Sequence, residues 1–395
     1  MSKNLPIGFD TSALNPEFKQ HSARGIGRYV RELDNYFQKT GAYSNNTIQT
    51  FTIDDFFPSN FLLNLIEKIP CGKQTIKQQV VFPAAVSMKG QKSFSYMHFP
   101  AHMDAPSWSS AKTIVTVLDL IPLIFKDLYA AENPSWRFHL ARFLEIRAIK
   151  NASHLIAISE STKNDVNRIL GVPLEKISVT YLGVDETFFN PVPSENIDKI
   201  RNTYHISSNE LSILYVGGID PRKNITKLIK AFEVLSLKNQ QEQKTLPKLI
   251  LAGKIKQDKS YLKLKNVIEQ SLYKENIIET GYLEDIQLKA LYRSVSVFCF
   301  PSLYEGFGLP VLEAFACGVP VVCGNNSCMP EVVGHDGAAV MVDVENVEEI
   351  VLGIIHADIN RVELIQKGFE RAKIFTWYKT GESTIGVYEK VKLQV

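Results

Sequence analysis

The sequence predicts an α/β protein made of two parallel-sheet halves, on three observations. Short β-branched runs alternate with longer helical segments along the chain, the pattern of βαβ units. Its 395 residues are long for one domain and suit two of roughly 150 to 200 residues each. A polar stretch with two prolines, "ETFFNPVPSENIDKIRNTYHISSNE", interrupts the alternation near residue 190 and reads as a linker.

Each half supplies its elements in order. "LPIGFD" reads as the first strand, and "GIGRYVRELDNYFQKT" starts on glycines and settles into a helical period. "KSFSYMHFP", "TIVTVLDLIP" and "HLIAIS" are further strands, the last feeding "ESTKNDVNRILG" with Ser159 as its N-cap. "KISVTYLGVD" is one more strand. After the linker come six strand-like runs, "LSILYVGG", "KLILAG", "NIIETG", "VSVFCFPS", "GVPVVCG" and "AAVMVD". The closing "TWYKTGESTIGVYEKVKLQV" has apolar residues at roughly helical spacing and reads, by itself, as a cap on the second half. Ligands of such sheets bind beyond the strand C-termini, so the substrate is expected in a cleft between the halves.

Composition narrows the function. A formal net charge of +2 argues against a dedicated nucleic-acid binder, and the small basic excess of the first 190 residues is compatible with a weak anionic partner or a membrane surface. Five cysteines, none in a CxxC pair, read as buried reduced thiols and point to a reducing cytoplasm. The N-terminus carries no apolar leader, and "IVTVLDLIPLIF" is too short to span a bilayer, so a cytoplasmic protein is expected. "FLLNLIEKIPCGKQTIKQQ", with Lys68, Lys73 and Lys77, reads as a packed surface helix or as a peripheral contact with the membrane's cytoplasmic face.

The most informative stretch is "YEGFGLPVLEAFACGVPVV", Tyr304 to Val322. A buried strand runs into a turn at Gly306 and Gly308, and a helix starts near Pro310 and ends by Gly318. Free N–H groups at a helix N-terminus hold an anion. Glu305 and Glu313 flank that point, and carboxylates beside an anion repel it unless they face neutral hydroxyl groups. A ligand with phosphates in the middle and polyols on both sides, a sugar nucleotide, satisfies both demands. No D-x-D occurs in the chain, and the sequence presents no metal clamp.

These residues resemble the signature of family-four retaining glycosyltransferases, and the resemblance covers nearly the whole chain. "RGIGRYVREL", "ISESTKNDV", "VTYLGVDETFFNP", "LYVGGIDPRKNITKLIKAF", "GYLEDIQLKALYRSVSVFCFPSLYEGFG" and "FTWYKTGESTIGVYEK" follow in the family's order. The pattern is nearest to the bacterial polysaccharide mannosyltransferases. The resemblance implies a GT-B fold: an acceptor domain over residues 1–190, a donor domain over 191–375, and a helix over 376–395 that crosses back to the first domain. It also implies a retaining transfer of a sugar from a nucleoside diphosphate to a saccharide or lipid-linked acceptor in cell-surface polysaccharide synthesis. The donor, GDP-mannose in preference to a UDP-sugar, is a substrate, and no cofactor is called for.

The site residues that the resemblance implies are specific. Glu305 contacts the donor sugar and Glu313 takes the ribose diol, a bidentate task suited to a carboxylate. Backbone around Gly306, Phe307, Gly308 and Leu309 holds the sugar and phosphate, with Leu283 and Gly218 beside the nucleotide. Arg222 and Lys223 stabilise charge on the leaving diphosphate, and Gly25 and Gly27 let a first-domain loop pass close to it, with Arg24 or Arg28 lending charge. Two departures stand out. Gly218 occupies a position where many members carry Arg, and Leu118 in "TVLDL" stands where the family usually has a histidine facing the reacting sugar. His98, or His102, is the expected replacement, and Asp119 either orients the acceptor or caps the next turn. A non-catalytic nucleotide-sugar-binding partner is the alternative of another class.

Overall fold

In the computed structural model the described residues are 5–16, 25–56, 81–127, 129 and 136–393. They form two compact units: the chain up to Leu182 together with Trp377 onward, and Gly183–Thr376.

The first unit is built on a six-stranded parallel sheet of order β2-β1-β3-β4-β5-β6. Its strands are β1 (Ile7–Asp10), β2 (Ile48–Phe51), β3 (Tyr96–Phe99), β4 (Thr113–Val117), β5 (His154–Ala157) and β6 (Ile177–Val179). β1, β3, β4 and β5 are buried at every position, as strands covered on both faces must be. β2 was not legible in the sequence: it is an edge strand of four residues with an exposed Gln49–Thr50 middle. The helix Glu160–Leu170 begins as expected, with Ser159 Oγ accepting the Thr162 N–H at 3.0 Å, and ends on Gly171 at φ +71°.

The last helix, Trp377–Leu393, belongs to the first unit and does not cap the second half. It packs in the first unit against the helix Gly25–Lys39. Tyr96 Oη donates to the Val391 carbonyl at 3.0 Å, and Tyr36 meets Tyr378 edge to face with ring centroids 5.3 Å apart. Gly381 lets the backbones approach, because a Cβ there would lie 2.2 Å from Tyr36 Cγ.

The second unit repeats the plan with strand order β12-β11-β10-β7-β8-β9, all parallel. These strands are β7 (Ser212–Val216), β8 (Lys248–Ala252), β9 (Ile277–Gly281), β10 (Val297–Phe300), β11 (Val321–Gly324) and β12 (Val340–Val342), one for each expected run. Each unit is thus a parallel six-stranded sheet with covering helices, an α/β layer architecture. The polar linker is in part regular structure: Ser194–Thr203 is a helix that buries Ile200 and packs against the helix Asp285–Tyr292. Its Glu195 in the first turn and Arg201 in the last complement the helix dipole, so a mostly polar decapeptide still holds a helix.

Among the described residues no helix is long and apolar enough to cross a membrane. The segment around Lys68, Lys73 and Lys77 lies outside the described residues, as do Cys71 and Arg24. The other four cysteines are buried and unpaired.

Candidate functional site

The stretch after β10 has the expected form. β10 is fully buried, and the chain then turns and enters the helix Leu309–Ala316, which has Pro310 in its first turn. Gly308 adopts φ +97°, a conformation that demands glycine, and a Cβ there would also have to displace the Met329 methyl, 2.4 Å away. Phe307 is buried and meets Phe375 edge to face with centroids 5.7 Å apart, while Gly306 and Leu309 complete the turn.

A loop that the sequence reading passed over holds this turn. Ser327 Oγ accepts the Glu305 N–H at 3.2 Å, Cys328 Sγ donates to the Phe307 carbonyl at 3.0 Å, and Asn326 Nδ2 donates to the Ser302 carbonyl at 3.3 Å. Ser327 sits at φ +47°, a left-handed conformation uncommon for serine. The one sequence signal for this loop is "GNNSCMP", whose Gly, Asn and Ser are turn formers.

The basic pair comes from the loop after β7. Asp220 Oδ1 accepts the Arg222 N–H at 3.1 Å and so shapes the short turn Pro221–Lys223, and Asn224 at φ +58° starts the helix Ile225–Gln241. Tyr215 Oη donates to the Gly218 carbonyl at 2.6 Å, and Gly218 itself faces open space. The Leu303 N–H donates to the Arg222 carbonyl at 2.8 Å, tying this loop to the one after β10.

These loops bring Arg222, Lys223 and Glu305 together. Lys223 Nζ lies 2.5 Å from Glu305 Oε1, Arg222 Nη1 lies 2.9 Å from Oε2, and Arg222 Nη1 also donates to the Tyr304 carbonyl at 2.8 Å. All three side chains are at most 16% exposed. Burial works against the charge on Glu305, but Lys223 and then Arg222 outweigh it and hold its carboxyl below the usual range. Burial also lowers the Lys223 ammonium, with Glu305 opposing that shift. Arg222 Nε also lies 3.7 Å from Asp220 Oδ1, so two cations face two carboxylates, and an anion would have to compete with Glu305 for them.

Glu313 is buried one helical turn further on, with Tyr292 Oη 3.5 Å from its Oε2. Leu283 is buried just before the helix Asp285–Tyr292, whose N-cap Glu284 and Gln287 form a capping box. Among the described residues no three His, Cys, Asp or Glu side chains are grouped to hold a metal.

In the first unit, Gly25 and Gly27 open the helix Gly25–Lys39, with open space around Gly25. His98 is corrected. It is fully buried, its Nδ1 is 2.6 Å from Tyr388 Oη and its Nε2 is 2.8 Å from Thr116 Oγ1. With both nitrogens occupied and burial lowering its pKa to about 3, His98 ties β3 and β4 to the last helix and has no free atom for a sugar. Asp119, half-buried after β4, accepts the Ile121 N–H at 3.0 Å and caps that turn, while Leu118 beside it is half-buried. His102 is buried nearby, and Asp119 and His102 line one small cavity.

Comparison with known proteins agrees with this architecture. Residues 93–188 match the family described as Glycosyltransferase Family 4, and residues 196–370 match Glycosyl transferases group 1, together more than half of the chain. The chain is 31% identical over 243 residues to O-antigen chain mannosyltransferase B of Escherichia coli, covering 61% of this chain and 62% of that one. It is 30% identical over 282 residues to MMP alpha-(1->4)-mannosyltransferase of Mycolicibacterium hassiacum, covering 68% and 63%. The matches thus span less than two thirds of these relatives, and only about 33% of the serotype-specific mannosyltransferase WbdA of Escherichia coli. Among solved structures, sucrose-phosphate synthase from Thermosynechococcus elongatus superposes with a TM-score of 0.70 at 18% identity over 99% of this chain and 100% of that one. WaaG, a glycosyltransferase involved in lipopolysaccharide biosynthesis, gives 0.67 at 14% over 96% and 99%.

The fold is therefore that of the two-domain GT-B proteins. The chain belongs to the family-four glycosyltransferases and resembles their bacterial mannosyltransferases.

Proposed function

We propose that this protein is a retaining glycosyltransferase that moves mannose from GDP-mannose to a hydroxyl of a saccharide or lipid-linked acceptor in cell-surface polysaccharide synthesis. The observation that carries the reading is the Arg222–Lys223–Glu305 cluster at the turn into the helix Leu309–Ala316. The similarity to named mannosyltransferases supports the choice of sugar.

In this reading residues 191–375 hold the donor and residues 1–190 the acceptor. Arg222 and Lys223 bind the diphosphate, and Glu305, released from part of its ion pairing, accepts hydrogen bonds from the donor sugar. Glu313 takes the ribose diol, and the N–H groups from Phe307 to Leu309 hold the phosphate and sugar. The bond from the anomeric carbon to the phosphate oxygen breaks, and the acceptor oxygen bonds to that carbon on the same face. The acceptor proton passes to a phosphate oxygen of the leaving diphosphate. Negative charge grows on the diphosphate as the bond breaks, so cations fixed in a largely buried site lower the barrier more than they tighten ground-state binding. On this account the two side chains take the part of a metal ion.

The test is a thermal-shift panel of GDP, UDP and ADP with their sugars, followed by turnover of the tightest-binding donor with candidate acceptors. Stabilisation by GDP and GDP-mannose, and an α-linked product from the α-linked donor, is expected. Preferential stabilisation by UDP would move the reading to a UDP-sugar transferase. Tight binding without transfer or hydrolysis, together with activity gained in Leu118→His, would make the protein a non-catalytic binder.

A further inference from the structure

The first unit holds a small cavity whose polar atoms the donor chemistry does not use. It is lined by His102, Asp119, Arg142 and Glu145, with Leu120 and Ile146 among its apolar walls. Its volume is about 10 Å³, room for a single water-sized group. Two of these lining residues each bury a nitrogen, His102 Nδ1 and Arg142 Nε, that has no hydrogen-bond partner among the described residues. His102 is only 5% exposed, so leaving its nitrogen unmatched is costly. Arg142 uses Nη2 on Glu145, which leaves Nε–H as the spare donor. Its side chain keeps 24% exposure, so this wall of the cavity is in part solvent-facing.

The donor and acceptor inventory identifies what fits. Arg142 Nε can only donate, whereas a neutral imidazole nitrogen can accept. His102 stays neutral near pH 7, because burial and then the Arg142 charge lower its pKa to about 4. A hydroxyl group accepts from one partner and donates to the other. An anion is disfavoured by Asp119 and Glu145 in the same lining, and a cation by Arg142. We propose that this cavity is a subsite for one hydroxyl group of a neutral saccharide, held between His102 Nδ1 and Arg142 Nε. This rests on the glycosyltransferase reading and adds to it how the acceptor half engages its sugar. A sugar hydroxyl and a bound water share this chemistry, and the experiment separates them.

The full-length protein, labelled with ¹⁵N-histidine, is titrated with methyl α-D-mannopyranoside and methyl α-D-glucopyranoside while the imidazole resonances are followed. The His102 signal is identified by its loss in His102→Phe. A saturable shift at His102, with His98 unmoved, is expected from at least one glycoside. Arg142→Lys, which keeps the charge but lacks Nε–H, should weaken that binding at least tenfold. Should His102→Phe fail to fold, the loss of the same signal in His102→Gln identifies it, and the wild-type and Arg142→Lys titrations decide the matter. No shift at His102 with either glycoside means that the cavity holds water only and overturns the proposal, as does binding unchanged in Arg142→Lys. Thermal stabilisation by GDP and UDP is measured on the same sample. Its absence would sink the nucleotide-sugar reading, and the glycoside titration would still decide the subsite.

Discussion

Lys223 and Glu305, 82 positions apart in sequence, form a buried ion pair with Nζ 2.5 Å from Oε1, and Arg222 joins it from the other oxygen. The carboxylate expected to face a sugar is held by the cations expected to face a diphosphate.

The two glutamates should therefore separate in binding. Glu305→Ala removes the carboxylate that competes for Lys223 and Arg222, so affinity for the free nucleoside diphosphate should be undiminished while transfer falls strongly. It also strands buried charge, and the unliganded protein should lose about 3 kcal/mol of stability or more. Glu313→Ala should weaken nucleotide binding by about 2 kcal/mol or more, the cost of its charge-assisted bonds. Calorimetry with GDP and UDP reads both, and the reverse pattern would exchange the two roles.

Arg222→Ala and Lys223→Ala should each lower kcat more than donor affinity, because leaving-group charge grows toward the transition state. Turnover of the wild type should survive EDTA. Activity abolished by EDTA and restored by magnesium or manganese would show that these side chains do not take a metal's part.

Acid should unfold the protein early through its buried histidines. His98, His102 and His154 are held at about 3, about 4 and about 4, mainly by burial, so the unfolded chain binds their protons first. Stability is then full above pH 6.5 or so and falls as pH drops toward those folded values. At pH 5 each should cost about 2 kcal/mol. Glu305, held low, adds its own loss only further down, through the carboxylate range. Urea unfolding at pH 7.5 and pH 5.0 measures the drop, and His102→Phe should remove about a third of the histidine contribution. A pH-independent midpoint over that window contradicts the assignment.

Gly381→Ala tests the docking of the last helix. In a helix interior alanine is favoured over glycine by about 1 kcal/mol. Here the new methyl would lie 2.2 Å from Tyr36 Cγ, at the root of a ring that cannot swing aside cheaply. Overpacking of this kind costs about 1 to 3 kcal/mol, so net destabilisation is expected in denaturant unfolding. A stabilised variant would mean that the helix does not pack there.

The sequence by itself determined the two-sheet plan, because strands buried on both faces leave β-branched runs that need no partner to be recognised. It also determined the turn into the helix Leu309–Ala316, since Gly308 and Pro310 act locally through their own backbone preferences. The tertiary structure decided what depends on distant partners. β2 is short and half-exposed, so its four residues carry little pattern without β1 beside them. The last helix shows an apolar stripe in sequence but not the surface it meets, and Gly381 against Tyr36 supplies that. His98 looked available until Thr116 and Tyr388, 18 and 290 positions away, were seen to occupy both its nitrogens. Ser327 and Asn326 were silent for the same reason: their use lies in hydrogen bonds to residues 22 and 24 positions back, at Glu305 and Ser302. Periodicity and turn chemistry report on neighbours along the chain, whereas the charge and protonation of a buried group are set by whatever the fold brings against it.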